Sequence, residues 1–265
     1  MSFITDSATY NGGRLSDRVF CVRADNPSPM TYMGTNTWII AEPDCPECVV
    51  IDPAPSGVHV ENVLNECVGQ GLRVGAIVLT HCHADHTEGA DDLESMTGAQ
   101  VYSREDGSLV DGVFEPIDGG PVFRVVPLPG HSADSVGLVY PQDHSMITGD
   151  VVFRHGPTVV YHPDGVLQDY MDSLDVLQKI VEEEGIDTFL PGHGYPITDP
   201  VACIEATREH RLERLAQIRQ ALAAGVARDA DALVDAVYTD IDSRLRPAAL
   251  RSVQAQLVYL ENMGE

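Results

Sequence analysis

The chain has 265 residues, 43% of them hydrophobic, which is enough to bury a core without disulfide bonds or a structural metal. Its 16 basic and 41 acidic residues give a net charge of 16 − 41 = −25. A surface this acidic repels phosphate backbones, so we expect a small-molecule substrate and no nucleic-acid partner. The sequence contains no apolar segment of the roughly 18 residues that a membrane span needs, so no membrane contact is predicted.

The N-terminus and the cysteines bear on the compartment. Residues 1–11 are polar and lack the basic and then apolar pattern of a secretion signal. The six cysteines are unevenly spaced in a chain with a sizeable core, which is typical of a reducing compartment. The sequence therefore predicts a cytoplasmic protein and leaves its oligomeric state open.

Apolar runs and stretches of helical spacing alternate over the first 200 residues. Strands are predicted over 19–23, 35–40, 48–51, 74–80, 101–102, 122–126, 136–140, 145–148 and 188–190. Helices are predicted over 58–69, 88–96 and 169–183, and residues 105–120 are predicted to be loop-rich. Strands interleaved with helices indicate an α/β protein, in which functional residues gather on loops at one edge of a sheet.

The composition changes after Pro200, where strands no longer alternate with helices. Helices are predicted over 201–224, 233–238 and 246–263, with Asp231 as the N-cap of the second. The apolar stripe of the first helix is predicted to consist of Ile204, Leu212, Leu215, Ile218 and Leu222. We predict a catalytic domain over residues 1–200 and a small helical appendage over residues 201–265.

Four arginines on the first of these helices form a local basic patch in the sequence. We interpret them as a solvated helix face, paired with acidic residues of the same helix three or four positions away. The arginines are Arg208, Arg211, Arg214 and Arg219, and the predicted partners are Glu205, Glu209 and Glu213.

The stretch over residues 80–86, Thr-His-Cys-His-Ala-Asp-His, holds four metal-capable side chains and follows an apolar strand. Imidazole and carboxylate groups are ligands for zinc, iron or manganese, and histidine can bind as a neutral ring near pH 7. His81 and His83 are two residues apart, so in extended backbone they point the same way and can bind one ion. Asp85 and His86 follow as the chain turns and can face a neighbouring ion.

Neither pair closes a tetrahedral shell alone, so more ligands must come from elsewhere in the chain. His131, Asp150 and His193 each follow a predicted strand and a tight Gly or Pro turn. Repetition of this arrangement indicates one metal centre assembled from several turns. Asp52, which ends a strand before Pro53, is a candidate to hydrogen-bond a ligand imidazole or a backbone amide near the site, and an ordinary turn-forming aspartate before a proline is the alternative.

Other residues near these turns lie close to the candidate ligands in the sequence. His155, His162 and Tyr195 could line the mouth of a substrate pocket, although each is more often an ordinary loop residue. Cys82 lies between two candidate ligands and is predicted to point away from them into the packed interior.

The motifs that contain these residues, in this order, resemble the five-motif series of the metallo-β-lactamase superfamily. They are Thr80 to His86, Gly130-His131-Ser132, Gly149-Asp150 and Pro191-Gly192-His193-Gly194, and residues 35–38 and 51–53 resemble the early strands. The resemblance runs over about residues 30–200, and every metal position is filled. It implies an αββα sandwich with two metals at one edge. By resemblance the first metal takes His81, His83 and His131, the second takes Asp85, His86 and His193, and Asp150 bridges them.

The C-terminal segments resemble one branch of that superfamily. Residues 208–211, 233–238 and 257–261 are similar to the winged-helix-like piece of the β-lactamase-like group, which includes ribonucleases and thioesterases of polyketide assembly. The usual His-Leu-x-Lys-Leu near the end is Gln-Leu-Val-Tyr-Leu over residues 256–260, which disfavours nucleic-acid binding. The predicted fold is therefore an αββα metallo-β-lactamase sandwich with a small C-terminal helical, winged-helix-like appendage.

These observations predict a dinuclear zinc-dependent hydrolase that uses a metal-bridging hydroxide on a small ester-like substrate. A thioester is the leading choice, because a soft thiolate suits zinc. Two zinc ions per chain are expected, with iron or manganese as alternatives, and Asp85 and Asp150 are expected to orient the hydroxide. The alternatives are a metal-dependent ribonuclease and a mononuclear iron sulfur dioxygenase on the same fold. A regulatory protein with a vestigial site is disfavoured, because no ligand is missing.

Overall fold

The computed structural model describes residues 10–265. The predicted absence of a secretion signal concerns residues 1–11 and falls almost wholly outside the described residues. Among the described residues, no helix combines the length and the apolar character needed to cross a membrane.

Within residues 10–265, eleven strands form two mixed sheets. The first sheet contains, in spatial order, β1 (Gly12–Arg14), β2 (Val19–Arg23), β3 (Asn36–Ala41), β4 (Glu47–Ile51), β5 (Arg73–Val78) and β6 (Gln100–Tyr102). Its first four strands are antiparallel, and β5 and β6 continue parallel to β4. The second sheet runs β11 (Thr188–Pro191), β10 (Ser145–Gly149), β9 (Val136–Tyr140), β8 (Phe123–Pro127) and β7 (Gly112–Phe114). Only β10 and β11 are parallel in this described sheet.

Seven α-helices cover the sheets in the described part of the chain. They are α1 (Val58–Gly69), α2 (Ala84–Thr87), α3 (Ala90–Thr97), α4 (Leu167–Glu184), α5 (Pro200–Ala223), α6 (Ala230–Val237) and α7 (Arg246–Asn262). Helices α1 and α3 pack on the first sheet, and α4 packs on the outer face of the second. The order of layers confirms the predicted αββα sandwich.

Apolar residues alternate between the two faces of the first sheet. In β3, Trp38 and Ile40 point between the sheets, where they meet Leu138 and Ile147 of the second sheet. Ile39, between them, points outward to the layer of α1 and α3. Both faces of the sheet are therefore buried, which explains why the central strands read as continuous apolar runs and not as alternating ones.

The C-terminal helices share their core with the second sheet. One apolar cluster runs from β8, β9 and β10 through α4 into α5, α6 and α7, and it includes Leu177, Leu215, Leu233 and Val253. Residues 200–265 are all described and contain helices and turns but no strand. The predicted helical appendage is therefore packed against the sandwich. Its division from the catalytic domain at residue 200 stays a prediction.

Several local predictions differ from the structure. The helix predicted over 88–96 is α3, which begins two residues later, at Ala90, and the short helix α2 precedes it outside the predicted range. A Cβ atom at Gly89 would lie 1.7 Å from the Pro53 carbonyl oxygen, so only glycine fits in this turn. Strand β5 ends two residues early, and β7 lies in the predicted loop. Helix α6 is capped by Asp229, whose Oδ1 accepts from Ala232 N at 3.1 Å, whereas Asp231 pairs with Arg246 on α7.

The stripe of α5 was predicted wrongly at one position. Leu212 is 50% exposed, whereas Arg211 is 3% exposed and occupies the stripe with Ile204 and Leu215. A residue that lies seven positions after Ile204 and four before Leu215 is on the same helical face, so Arg211 faces the core and Leu212 faces away.

The arginines of α5 do not pair along their own helix as predicted. Apart from a hydrogen bond from Arg214 to Gln217 of the same helix, their partners lie on other elements, so each arginine connects α5 to another part of the chain. Arg208 pairs with Asp175 at 2.6 Å, Arg219 with Glu265 at 2.5 Å, the Arg214 guanidinium lies 4.4 Å from the Tyr238 ring centroid, and Arg211 donates to the Thr158 carbonyl at 2.5 Å.

Candidate metal centre

The strand ends bring the candidate ligands to one edge of the sandwich. Strand β5 leads into residues 79–86, β8 leads to His131, β10 to Asp150 and β11 to His193. Because β4 and β5 are parallel, and β10 and β11 likewise, their carboxyl ends lie at the same edge. Asn36 joins the two sheets there, since its Nδ2 donates to the carbonyl oxygens of Pro191 and Gly194, both at 2.9 Å.

All seven predicted ligands come together at this edge. Their ligand atoms form three overlapping groups, and within each group the atoms lie within 4.8 Å of one another. Two groups have the same members as the two sets implied by the family resemblance, and the third joins Asp150 to one histidine of each set. The groups are His81, His83 and His131; Asp85, His86 and His193; and His81, His86 and Asp150.

Asp150 lies between the two histidine sets. Its Oδ1 is 3.3 Å from His86 Nε2, and its Oδ2 is 3.4 Å from His193 Nε2 and 3.8 Å from His131 Nε2. On the far side, Asp85 Oδ2 is 3.3 Å from His193 Nε2. One carboxylate therefore contacts both sets, and a second contacts one set only.

The other ring nitrogen of three histidines is held by a neighbouring oxygen. His86 Nδ1 is 2.9 Å from Asp52 Oδ2, His131 Nδ1 is 2.7 Å from the Val159 carbonyl oxygen, and His81 Nδ1 is 3.0 Å from Thr80 Oγ1. A carboxylate and a carbonyl can only accept, and the Thr80 hydroxyl already donates to Asp52. Each Nδ1 therefore carries a proton, so Nε2 is the nitrogen of each ring that can bind a metal when it is deprotonated.

The inward-facing atoms lack partners among the described residues. Nε2 of His81, His86 and His193 and Oδ1 of Asp150 are buried and accept or donate no hydrogen bond. Buried polar atoms are nearly always satisfied, so several unpaired ones around one space need an explanation. Imidazole nitrogens together with carboxylate oxygens suit zinc, iron or manganese. The residues present therefore fit a metal site.

Charge in the cluster also favours a cation. Burial alone would lower the pKa of both His86 and His193. The Asp150 and Asp52 carboxylates nevertheless hold the pKa of His86 well above its ordinary value, and Asp150 with Asp85 raises the pKa of His193 to about 9. Despite burial, these two histidines keep the pKa of Asp150 well below its ordinary value. Metal binding there would displace protons from the two histidines.

His81 and His131 stay neutral. Burial holds the pKa of His81 well below its ordinary value, with a further lowering from His86 and His131. Burial likewise lowers the pKa of His131 to about 4. Neutral imidazole is the form that coordinates a metal.

Asp52 makes both contacts that the sequence predicts for it. Its carboxylate accepts from Thr80 N at 2.8 Å and from Thr80 Oγ1 at 2.7 Å, in addition to His86. Its backbone is left-handed, with φ of 55°, a conformation that only surrounding contacts make tolerable for a residue with a side chain. Thr37 Oγ1 donates to the Asp52 carbonyl at 2.8 Å and helps to hold it. The prediction for Asp52 is confirmed.

Cys82 and Gly192 are sequence neighbours of candidate ligands. The predicted packing of Cys82 is wrong, because its side chain is exposed: residues 81–83 lie in a bend beyond β5, where strand alternation no longer applies. At Gly192, a Cβ atom would lie 2.4 Å from Asp150 Oδ1 and 2.5 Å from His86 Cε1. Only glycine leaves room for the cluster at this position.

A mostly apolar cavity of about 400 Å³ opens beside the cluster, with His131 and Asp150 in its wall. Its other walls come from residues 29–32, the loop 153–159 and the C-terminal helices. A smaller cavity of about 170 Å³ lies beside His193 and is lined by His155 and Tyr195, two of the three candidate mouth residues. His162 lines neither of these cavities, and its carbonyl oxygen accepts from Arg251 at 3.3 Å.

The contribution of the C-terminal helices to the larger cavity was not predicted from the sequence. Its lining residues there include Arg211, Tyr238, Ile241, Ala248 and Ala249. One signal was available, since an arginine in the apolar stripe of α5 indicates a buried charge. The residues of α6 and α7 give no such signal, because apolar spacing does not distinguish a cavity wall from a core.

Comparison with known proteins agrees with this architecture. The sequence profile of the metallo-beta-lactamase superfamily matches residues 30–110 and 96–193, and that of the beta-lactamase associated winged helix domain matches residues 230–265. A metallo-beta-lactamase family protein from Thermus thermophilus has the same fold, with a TM-score of 0.77, 21% identity and 95% of each chain covered.

Two fungal relatives are similar in sequence. Lactamase-like protein notP of Aspergillus sp. (strain MF297-2) is 30% identical over 79% of this chain and 65% of its own length. An atrochrysone carboxyl ACP thioesterase of Aspergillus chevalieri is 30% identical over 79% of this chain and 67% of its own length. The chain thus spans about two thirds of the length of these relatives. Because the superfamily profile covers more than half of its residues, the chain belongs to the metallo-β-lactamase superfamily, with a β-lactamase-associated winged helix domain at its C-terminal end.

Proposed function

We propose that the protein is a dinuclear zinc-dependent hydrolase of small acyl thioesters. The observation that carries the proposal is the pair of ligand sets with Asp150 between them, at the end of an apolar cavity. The cavity suits an organic acyl group. A relative is named as an ACP thioesterase, which is consistent with thioester cleavage.

The residues of the chain suggest how the site would work. His81, His83 and His131 would hold one zinc ion, Asp85, His86 and His193 the other, and Asp150 would contact both. The chemistry that two zinc ions supply when bound is the activation of water at neutral pH and the polarisation of a carbonyl oxygen.

The carboxylates of Asp150 and Asp85 would have different roles. Asp150 is 7% exposed and fixed between three histidines, so it would orient the attacking water without moving. The side chain of Asp85 is 34% exposed. Burial alone would raise its pKa, but the hydrogen bond to His193 and the charges of His86 and His193 together hold the pKa below its ordinary value. Asp85 would therefore remain ionised, close to the solvent, and would accept a hydrogen bond that helps to orient that water.

The two other candidate functions find less support. A ribonuclease needs cationic side chains for the phosphate backbone, whereas Arg208 and Arg219 are engaged with carboxylates. A mononuclear iron dioxygenase needs one ligand set, whereas two sets are present. The RNA cleavage assay and the elemental analysis described below distinguish these two functions from the proposed one.

The proposal is tested by supplying the purified protein with a series of acyl-N-acetylcysteamine thioesters and recording thiol release. We expect turnover by the natural protein and a loss of about a thousandfold or more in Asp150→Asn, because this substitution removes the charge between the two ligand sets. Asp91→Asn, which alters an exposed carboxylate on α3, is the matched control and should behave as the natural protein.

Two results would contradict the proposal. One is cleavage of single-stranded RNA by the same preparation with no release of thiol from any thioester. The other is undiminished thioester turnover in Asp150→Asn.

A further inference from the structure

The larger cavity contains a charge that the apolar character of its walls does not explain. Most of its lining is apolar and includes Met30, Phe153, Ile241 and Leu245. Arg211 is in the same lining and is 3% exposed. A buried guanidinium is costly unless its charge and its donors are matched.

Arg211 is only partly matched. Its Nη2 donates to the Thr158 carbonyl at 2.5 Å, and its guanidinium lies 4.8 Å from the centroid of the Tyr170 ring. Among residues 10–265 it forms no ion pair, and its Nε has no hydrogen-bond partner. Arg208, one turn earlier on the same helix, has an aspartate partner.

A second unpaired group lies beside it. His210 also lines the cavity, and its Nδ1 has no partner among the described residues. Burial lowers the pKa of His210 to about 4, with Arg211 and Arg214 adding to the effect, so its ring is neutral. Two polar side chains of α5, each with one atom that lacks a partner, therefore line an otherwise mostly apolar cavity.

Arg211 is close to the reacting groups. Thr158, which accepts from Arg211, donates from its Oγ1 to the Asp150 carbonyl at 2.5 Å and lies 3.3 Å from His131 Nδ1. One residue thus separates Arg211 from two members of the metal cluster. An acyl group whose carbonyl is at the cluster would place its next few atoms near Arg211.

We infer that the larger cavity binds the acyl part of the substrate and that Arg211 selects acyl groups carrying an oxygen acceptor within a few atoms of the thioester. This inference rests on the proposed thioester hydrolysis. The Arg211 guanidinium is the donor, and the apolar walls enclose the rest of the acyl chain. On α7, Ala248, Ala249 and Ser252 are small, and they set the width that an acyl group can have.

The test compares the octanoyl thioester of N-acetylcysteamine with its 3-oxo and 5-oxo derivatives. The natural protein should favour at least one oxo derivative in kcat/KM, and Arg211→Met should reduce that preference by about 10- to 100-fold, as expected for a lost hydrogen bond to a charged group. Arg208→Met, which removes the same group one turn away, should keep the preference. The ratio of the kcat/KM values for two substrates does not change when part of the protein is inactive.

A second measurement covers the case in which Arg211→Met does not fold. Non-hydrolysable thioether analogues of the same three compounds are titrated into the natural protein by calorimetry. An oxo analogue should bind more tightly than the plain one, and Ala248→Leu, which fills the cavity, should weaken all three by at least about tenfold.

The outcomes separate this inference from the proposed function. Turnover of the thioesters with no preference for an oxo group, or with a preference that survives in Arg211→Met, would overturn the inference and leave the hydrolase intact. Absence of any turnover would overturn the proposed function, and the calorimetric comparison would then still decide the inference.

Discussion

Asp52 supports the cluster although it is not one of the candidate ligands. Its carboxylate fixes both the proton on His86 Nδ1 and the backbone of Thr80, one residue before His81. In Asp52→Asn, an amide NH₂ would face one of these donors and the negative charge would be lost. We expect the affinity for zinc to fall about 10- to 100-fold, as measured by competition with a chelating dye.

The matched control for this substitution is Asp44→Asn, which alters an exposed aspartate in the β3–β4 connection. Asn tolerates the left-handed backbone of residue 52, so the variant should fold and the thermal transition should show it. Equal zinc affinity in Asp52→Asn and the natural protein would mean that Asp52 only shapes the turn.

For individual residues, the sequence identified the candidate ligands but not the residues that form the wall of the larger cavity. His131, Asp150 and His193 could be found because each follows a strand and a tight turn, and these signals are local. Arg211 could not be assigned, because its role depends on which face of α5 meets the sandwich. A rotation of one residue around that helix exchanges Arg211 and Leu212 between core and solvent.

At the scale of elements, α1 is linked to the Asp52 turn through a buried histidine. His59 Nε2 lies 2.7 Å from Thr37 Oγ1, which itself donates to the Asp52 carbonyl, so the ring nitrogen must be the donor. Burial lowers the pKa of His59 from 6.5 to about 4. Between pH 6.5 and about pH 4, His59 therefore binds a proton in the unfolded chain but not in the folded chain.

This difference fixes the direction of a pH effect. The contribution of His59 to the free energy of unfolding is fully present above pH 6.5 and is lost as pH falls toward 4, with a loss of about 2 kcal/mol between pH 7 and pH 5. In His59→Gln, whose amide can donate from a similar position, that part of the pH dependence should disappear. Urea unfolding at the two pH values measures it, and an identical pH dependence in both proteins would refute the assignment.

The arrangement of the elements was largely predictable, since most strands and helices follow from apolar spacing. The ends of the elements and the connections between them were less predictable. Helix α3 begins after Gly89, where the backbone passes so close to the Pro53 carbonyl oxygen, remote in sequence, that only glycine fits. The cap of α6 moved by two residues because Asp231 is engaged by Arg246, again a contact between elements.

For the whole molecule, the net charge of −25 and the engaged arginines of α5 predict weak binding of nucleic acid. Titration of a labelled single-stranded RNA, followed by fluorescence anisotropy at physiological ionic strength, should give no saturation. Saturable binding below about 1 µM would contradict this prediction and would favour the ribonuclease alternative.

The central claim is that the two ligand sets each hold a zinc ion. Elemental analysis by mass spectrometry of protein purified without added metal tests it most directly. We expect two zinc ions per chain. One iron ion per chain, or no retained metal, would contradict the claim.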